Sequence, residues 1–196
     1  MRAGKVRYLG TSTFAAWQVM EGLWASKELG LNRFVCEQPP YNLLDRRIER
    51  ELIPMAQTYG IAIIPWSPLA GGLLSGKYRR NEAVPPDSRF ADMENNPMLQ
   101  KRMQEQVFDV TEGLHALIEA KACSMSQRAL AWCAQQPGVT SPIIGPRTME
   151  QLDDNLAALN VTLTDDDYAT IDTLVPPGRM VSPFYEAEFG PHLYRW

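Results

Sequence analysis

The sequence contains little cysteine, and its three cysteines show none of the spacings that bind metal or build a disulfide framework. Cys36, Cys123 and Cys133 are an odd number without a C-x-x-C pair, which argues against a zinc site and favours a reducing compartment. No apolar run approaches the roughly 18 residues of a membrane span. The charged N-terminus is not followed by the apolar stretch of a secretory signal. We therefore expect a cytoplasmic protein that binds no metal and no membrane.

The chain also lacks an excess of basic charge. Its 19 lysines and arginines face 23 aspartates and glutamates, for a net charge of −4, so nucleic acid, which selects basic patches, is not expected as a partner. The 196 residues, 45% of them apolar, suit one globular domain over residues 1–196. The segment 176–196 is rich in proline and aromatic residues, and we expect it to form an irregular C-terminal tail.

Short runs rich in β-branched residues alternate with longer helical patterns. The predicted strands are Val6–Gly10, Phe34–Gln38, Ile61–Trp66 and Ser141–Gly145. The predicted helices are Phe14–Leu29, Arg46–Tyr59, Pro97–Lys121, Ser126–Gln136, Thr148–Leu159 and Asp165–Leu174. Such alternation produces right-handed βαβ units and a parallel sheet, and four units make half of a (β/α)₈ barrel. We therefore predict an α/β fold, half of a TIM barrel with four parallel strands and alternating helices.

A doubly wound sheet is the alternative fold. It requires a glycine-rich phosphate turn after its first strand, and the run from Gly10 to Thr13 is not G-x-G-x-x-G. Helix starts carry capping signals: Thr13 is available as an N-cap for the first helix, while Thr148 with Gln151 and Thr164 with Asp167 have the spacing of capping boxes.

Polar groups follow each predicted strand, where a barrel collects its chemistry. The strand ends are Thr11-Ser12-Thr13, Glu37-Gln38, Trp66-Ser67 and Gly145-Pro146-Arg147-Thr148. Trp66 adds a large flat ring to this rim. A stacking face beside hydrogen-bonding groups is what a planar heteroaromatic ligand with an amide needs.

The fourth strand end also favours an anion. The helix that starts at Thr148 presents unpaired N–H groups and the positive end of its dipole, and Arg147 beside it carries a planar donor fork suited to phosphate. Lys77 and Arg89 lie in the long irregular stretch from Ser67 to Asn96, within reach of the same rim. These residues predict a nucleotide with its phosphates near Arg147.

Four motifs in this order resemble one enzyme family over residues 4 to 175. They are Gly4–Phe14, Glu37–Leu44, Ile64–Tyr78, which includes Trp-Ser-Pro-Leu-Ala-Gly-Gly, and Pro142–Leu156. The chain resembles the C-terminal half of an aldo-keto reductase, in the branch that includes the β subunits of voltage-gated potassium channels. The resemblance implies the C-terminal half of the barrel and an NADP(H)-dependent oxidoreductase that interconverts carbonyl and alcohol groups by hydride transfer.

The resemblance also implies cofactor-binding roles. Ser12, Thr13 and Gln38 would hold the nicotinamide carboxamide, and Trp66 would stack on its ring. The residues implied for the pyrophosphate are Ser67, Pro68, Leu69, Ala70 and Gly71, with Lys77 and Arg89 closing over the cofactor. Those implied for the adenosine end are Gly145 and Arg147 at the 2′-phosphate, with Gln151, Asp154 and Asn155. Arg147 favours NADP(H) over NAD(H), because a guanidinium fork is most useful against a second phosphate.

No catalytic residue is predicted for this chain. In the family, the acid is a Tyr assisted by Asp, Lys and His from the first four strands, and this sequence begins at what resembles strand five. Its two histidines, His115 and His192, fall in a predicted helix and in the tail. Hydride transfer also needs a proton donor, so we expect the NADP(H)-binding portion of such an enzyme without its catalytic half.

Two other interpretations stay open: a non-catalytic dinucleotide-binding or sensing module, and the remnant of a truncated gene. The expected partners are a small carbonyl or alcohol substrate, if an N-terminal half completes the barrel, and either a second copy or a complementing half-barrel. A four-stranded half-barrel would leave two unpaired edges and an open apolar face, which a second copy could cover by two-fold symmetry.

Overall fold

The computed structural model describes residue 1, residues 3–118 and residues 123–182. The predicted helix end near Lys121, the part of the tail beyond residue 182 and His192 lie outside the described residues. Within the described ranges, every helix is too short or too polar to cross a membrane.

Three short parallel strands form the sheet. They are β1 (Leu9–Ser12), β2 (Phe34–Gln38) and β3 (Ala62–Ile63), paired in the order β1-β2-β3. Helices α1 (Ala16–Glu28) and α2 (Leu52–Tyr59) connect successive strands as βαβ units. The predicted α/β fold with a parallel sheet is confirmed, and β2 has the predicted bounds.

The prediction of a fourth regular strand is wrong for the described residues. The predicted strand Ser141–Gly145 runs beside β3 but makes few ladder bonds: the Thr140 N–H donates to the Ile63 carbonyl at 2.8 Å and the Ile143 N–H to the Pro65 carbonyl at 2.7 Å. Pro142 has no N–H to donate, so a continuous ladder cannot form there. The segment is therefore an extended edge held by isolated hydrogen bonds.

Within the described ranges, five further helices follow β3. They are α3 (Pro97–Arg102), α4 (Glu105–Ile118), α5 (Met125–Gln135), α6 (Met149–Ala157) and α7 (Asp165–Leu174). Short 3₁₀ helices form at Arg47–Glu49, Ala70–Ser75, Met93–Asn95 and Ala158–Asn160. The single helix predicted over Arg46–Tyr59 is a 3₁₀ turn followed by α2, with Pro54 in the first turn of α2, where a missing N–H costs least. The helix predicted from Pro97 is divided into α3 and α4.

The start of α1 also differs from its prediction. The N-cap is Ala15, not Thr13, and the Gln18 side chain accepts the Ala15 N–H at 2.8 Å. One residue earlier, the Phe14 N–H donates to Oε1 of Glu37 at 3.0 Å. A carboxyl oxygen from β2 thus accepts a backbone N–H just before α1, where the sequence predicted Thr13 as the N-cap. At α7 the predicted capping box of Thr164 and Asp167 is present.

Two ion pairs connect α7 to the rest of the fold, and the second of them is buried. Arg46 binds Asp172 at 2.7 Å and the Val175 carbonyl at 2.6 Å, and its guanidinium lies over the Trp132 ring. Arg128 on α5 faces Asp167 at 3.1 Å, with both side chains almost fully buried. Removing one partner of such a pair leaves a buried charge, which costs about 3–5 kcal/mol, so these contacts specify where α7 packs.

Glu37 is a fully buried carboxylic acid in the middle strand. Its Oε1 accepts the Phe14 N–H, but its Oε2 and the nearby Thr11 Oγ1 have no hydrogen-bond partner of normal geometry among the described residues. Burial raises the pKa of Glu37, and the nearby Thr11 hydroxyl and the backbone N–H groups of Phe14 and Thr13 lower it by less. The charged form of Glu37 therefore destabilises the fold.

Glu37→Gln is expected to raise the free energy of unfolding at pH 7 by about 1 kcal/mol, because an amide keeps the acceptor for Phe14 and carries no charge. The folded-state pKa of Glu37 lies above its unfolded-state pKa. At pH values between the two, folding therefore takes up a proton, and wild-type stability falls as the pH rises through this interval. Urea unfolding between pH 4 and pH 8 measures this. Glu21→Gln, at an exposed position of α1, should keep the wild-type pH dependence. Lower stability of Glu37→Gln than of the wild type at pH 7 would show that the charged carboxylate does not destabilise the fold.

Candidate functional site

A groove of about 570 Å³ opens beyond the carboxyl end of β3. Its walls are the turn after Trp66, the loop that carries Lys77 and Arg89, and the extended segment that leads into α6. The predicted site residues that line it are Trp66, Ser67, Pro68, Leu69, Gly71, Lys77, Arg89, Gly145, Arg147, Gln151 and Asn155. Trp66 and Arg147, which are 147 − 66 = 81 positions apart in the sequence, thus lie along one cavity.

The turn after Trp66 has an uncommon backbone. Ser67 and Ala70 have φ values of 56° and 50°, and Gly71 and Gly72 continue in the left-handed region at 68° and 104°. A non-glycine residue in that region costs on the order of 1–3 kcal/mol and persists only where its surroundings hold it. Ala70 is fully buried and held by packing, and it is the one predicted residue of the run Ser67–Gly71 that does not line the groove in the described structure.

A hydrogen bond from the buried side-chain amide of Asn42 fixes the start of this turn. Its Nδ2 donates to the Ser67 carbonyl at 3.1 Å, and its Oδ1 accepts the N–H groups of Leu44 and Asp45. The Trp66 backbone is fixed in addition, because its N–H donates to the Pro39 carbonyl at 2.9 Å. The half-buried indole is therefore presented to the groove from a backbone held on both sides.

Three cations and no carboxylate line the groove among the described residues. Lys77 and Arg89 are exposed. Arg147 reaches the loop that carries them, and its Nη2 donates to the Asp87 carbonyl at 3.2 Å. In a chain with a net charge of −4, this segregation makes the groove a local site of positive potential.

The start of α6 faces the same groove. The Thr148 hydroxyl accepts the Gln151 N–H at 3.2 Å, as predicted. The reciprocal bond of the predicted capping box is not formed, because the Gln151 Oε1 accepts the N–H of Arg147 at 2.8 Å instead of that of Thr148. Gln151 therefore holds the backbone of Arg147 at the positive end of the helix dipole.

Asp154 lies on α6 but does not line the groove. Its oxygens accept the Ser124 hydroxyl at 3.0 Å and the Gln127 amide at 2.7 Å. Ser124 is the N-cap of α5, so Asp154 ties α6 to the start of α5. The neighbouring Asn155 is largely buried and does line the groove.

The predicted carboxamide residues lie at the carboxyl ends of β1 and β2, outside the groove walls. The Ser12 hydroxyl donates to the Gln38 carbonyl at 3.0 Å, and the Thr13 N–H donates to the same oxygen at 3.2 Å. Thr13 has a φ of 61°, and its hydroxyl lies 3.3 Å from that of Ser12. These residues form a polar cluster at the carboxyl edge of the sheet, the edge at which Trp66 also lies.

Six lining residues were not predicted. They are Gly72, Ser75, Ser126, Ile143, Ile144 and Pro146. All but Ser126 lie within the motif runs Ile64–Tyr78 and Pro142–Leu156, which could have indicated them. Ser126 sits in the first turn of α5, more than 50 residues from Trp66, and no sequence pattern connects the two. Among the described residues, no cluster of three potential metal ligands forms.

Comparison with known proteins gives a consistent relationship. The model of the "Aldo/keto reductase family" matches residues 1–176. The chain is 36% identical over 179 residues to the uncharacterized oxidoreductase YrpG of Bacillus subtilis, covering 91% of this chain and 52% of the relative. It is 39% identical over 160 residues to a probable voltage-gated potassium channel subunit beta of Oryza sativa subsp. japonica, covering 81% and 48%.

A third relative is the putative aryl-alcohol dehydrogenase AAD16 of Saccharomyces cerevisiae, 30% identical over 180 residues, which are 91% of this chain and 51% of the relative. The chain spans about half the length of the curated relatives it matches. With a family model that covers all but its last residues, the chain belongs to the aldo/keto reductase family.

Proposed function

We propose that the groove binds NADP(H), and that the chain is the cofactor-binding portion of an aldo-keto reductase-type oxidoreductase that interconverts carbonyl and alcohol groups. One observation carries the proposal: a tryptophan and three cations line one groove that includes no carboxylate among the described residues. A flat ring and positive charge suit the two parts of a nicotinamide dinucleotide. The names of two relatives, an oxidoreductase and a dehydrogenase, support the same class.

The residues of the groove, together with the polar residues at the ends of β1 and β2, fit this cofactor by chemical type. Trp66 would stack on the nicotinamide ring while Ser12, Thr13 and Gln38 meet its carboxamide, and the left-handed turn from Ser67 to Gly71 would follow the pyrophosphate. When bound, the nicotinamide supplies a hydride to a carbonyl carbon or accepts one from an alcohol. The protein's own task here is to bind and orient the dinucleotide.

Arg147 is the residue that would select NADP(H) over NAD(H). Gln151 fixes its backbone at the start of α6. Its guanidinium donates one hydrogen bond to the loop, to the Asp87 carbonyl. A guanidinium has five donors in a planar fork, so most remain for a 2′-phosphate beside a helix N-terminus.

The groove does not itself offer a proton donor of the expected kind. Among the described residues that line it there is no tyrosine, histidine or carboxylic acid, and carbonyl reduction requires a proton at the oxygen. We propose that this group comes from a segment outside the given sequence, consistent with a match to about half of each relative. A non-catalytic dinucleotide-binding or sensing module is the alternative, favoured by the likeness to the potassium channel subunit.

We propose that the sheet is part of a half-barrel completed by a second polypeptide segment. Among the described residues, β1 pairs only with β2, which leaves its outer edge open to a further parallel strand. Tyr8 is 72% exposed before β1, and Trp17 and Trp24 are 51% and 64% exposed on α1. A complementing half-barrel or a second copy of this chain would cover this apolar surface.

Arg147→Gln is expected to weaken NADPH binding about tenfold, equal to loss of about 1.4 kcal/mol, and to change NADH binding less than twofold, because only NADPH carries the 2′-phosphate. Isothermal titration calorimetry of the full chain measures both. Arg79→Gln removes the same charge from an exposed arginine outside the groove and should leave both affinities unchanged. Equal loss for NADPH and NADH would refute the assigned role of Arg147, and failure of the wild type to bind NADPH would refute the proposed function.

Trp66→Leu is expected to weaken NADPH and NADH equally, by about fivefold, since ring stacking contributes about 0.5–1.5 kcal/mol. The matched control is Trp24→Leu on the exposed face of α1, which should bind as the wild type does. A larger effect of the Trp24 substitution than of the Trp66 substitution would count against the groove as the binding site.

The isolated chain is expected to bind NADPH without reducing an aldehyde, and to turn over once the N-terminal half of the Bacillus subtilis relative is added. NADPH oxidation measures turnover, and sedimentation velocity measures assembly. Aldehyde reduction by the chain alone would contradict the proposed external proton donor. Binding that persists without turnover, alone and in the mixture, would favour the non-catalytic module.

A further inference from the structure

Lys77 is held in an unusual way for an exposed lysine. It follows Gly76, at the end of the 3₁₀ helix Ala70–Ser75, and lines the groove. Among the described residues, its ammonium makes no hydrogen bond and no ion pair. Its Nζ lies 5.1 Å from the centroid of the Tyr78 ring, within the range of a cation–π contact. Within the described part of the chain, the Tyr78 ring is thus the specific contact of the Lys77 ammonium.

Gly72 leaves the space that the end of the lysine occupies. A Cβ built on Gly72 would lie 3.3 Å from both Cε and Nζ of Lys77 and 3.7 Å from Cε2 of Tyr78. The lysine therefore passes close over bare backbone, with the tyrosine ring at its end. A side chain at position 72, where φ is 104°, would push the ammonium away and would strain the backbone as well.

The position of the Tyr78 ring is fixed by packing against the core. The residue is 5% exposed, and its ring meets the fully buried Phe90 edge-on, with centroids 5.2 Å apart and planes at 71°. Its hydroxyl is buried and has no hydrogen-bond partner among the described residues. A buried hydroxyl without a partner is unfavourable, so the useful part of this side chain is its ring.

Arg80 fastens the backbone two residues further on. Its guanidinium binds Glu105, Asp109 at 2.5 Å and Glu112 at 3.0 Å, all on α4, and it lies over the Phe108 ring. With Phe90 beneath Tyr78 and α4 beside Arg80, the segment 78–80 is anchored on two sides. Lys77 extends into the groove from this anchored segment.

We propose that Tyr78 is a positioning residue for ligand binding: its ring holds the Lys77 ammonium over the groove, ready to meet a phosphate oxygen of the bound nucleotide. The inference rests on the proposed nucleotide binding and assigns the function of a residue that does not line that groove. A lysine held in place before binding loses less conformational freedom when it pairs with the phosphate. A cation over a ring keeps its remaining faces available to an anion, which an ion pair with a protein carboxylate would not allow.

The test is a double-mutant cycle on NADPH affinity with Tyr78→Leu, Lys77→Met and the double variant, measured by titration calorimetry on the full chain. Tyr78→Leu should weaken binding about three- to fivefold, and Lys77→Met at least as much. In the Lys77→Met background, Tyr78→Leu should have no further effect, because its contribution acts through the lysine. Tyr78→Phe keeps the ring, removes the unpartnered hydroxyl and should bind NADPH as the wild type does.

A second measurement uses the wild-type chain and does not depend on how the leucine variant folds. Protons on Cε of a lysine held against an aromatic ring resonate upfield, so one lysine in the NMR spectrum should show this shift and lose it in Lys77→Arg. A missing shift overturns the proposal, and so does equal weakening by Tyr78→Leu with and without Lys77. Unchanged affinity in Lys77→Met or in Tyr78→Leu overturns it too. If the wild type does not bind NADPH, the proposed function itself fails, which is a distinct result.

Discussion

The shape of the groove depends on the hydrogen bond by which one buried side-chain amide fixes the turn after Trp66. Asn42 donates to the Ser67 carbonyl and accepts two backbone N–H groups from the next turn of its own segment, so it ties the end of β3 to the chain that follows β2. The left-handed residues Ser67 and Ala70 keep their conformation because of this tie and the packing of Ala70. Together with the Trp66 N–H bond to the Pro39 carbonyl, this tie fixes the backbone that carries the indole.

The distribution of charge follows the same division of tasks. Acidic side chains of α4 bind Arg80, and others lie in the first turn of α7. Within the described part of the chain, no acidic side chain lines the groove. An acidic protein thereby has a groove lined by cations, which suits the anionic ligand proposed for it. The cations stay available because they are held by neutral groups: Lys77 by a ring, and Arg147 by backbone and amide oxygens.

The open edge of β1 and the chemistry of the groove are consistent with one another. Among the described residues, the groove combines an aromatic ring with cations, and β1 has one edge without a paired strand. The chain belongs to the aldo/keto reductase family and matches about half of each relative, which is consistent with the proposal that a further segment completes the sheet and the site. Tyr8 before β1 and Trp17 on α1 are exposed.

The sequence by itself determined the family, the alternation of strands and helices, and which strand ends carry polar groups, because these depend on motifs and short-range patterns. Parallel strands bring their ends to one edge, so Trp66 and Arg147 could be assigned to one rim without coordinates. Only the tertiary structure decided that Pro142 interrupts the fourth strand, that Asp154 binds α5 instead of lining the groove, and that Ser126 joins it. Contacts of that kind connect segments tens of residues apart and arise from packing, which no local pattern encodes.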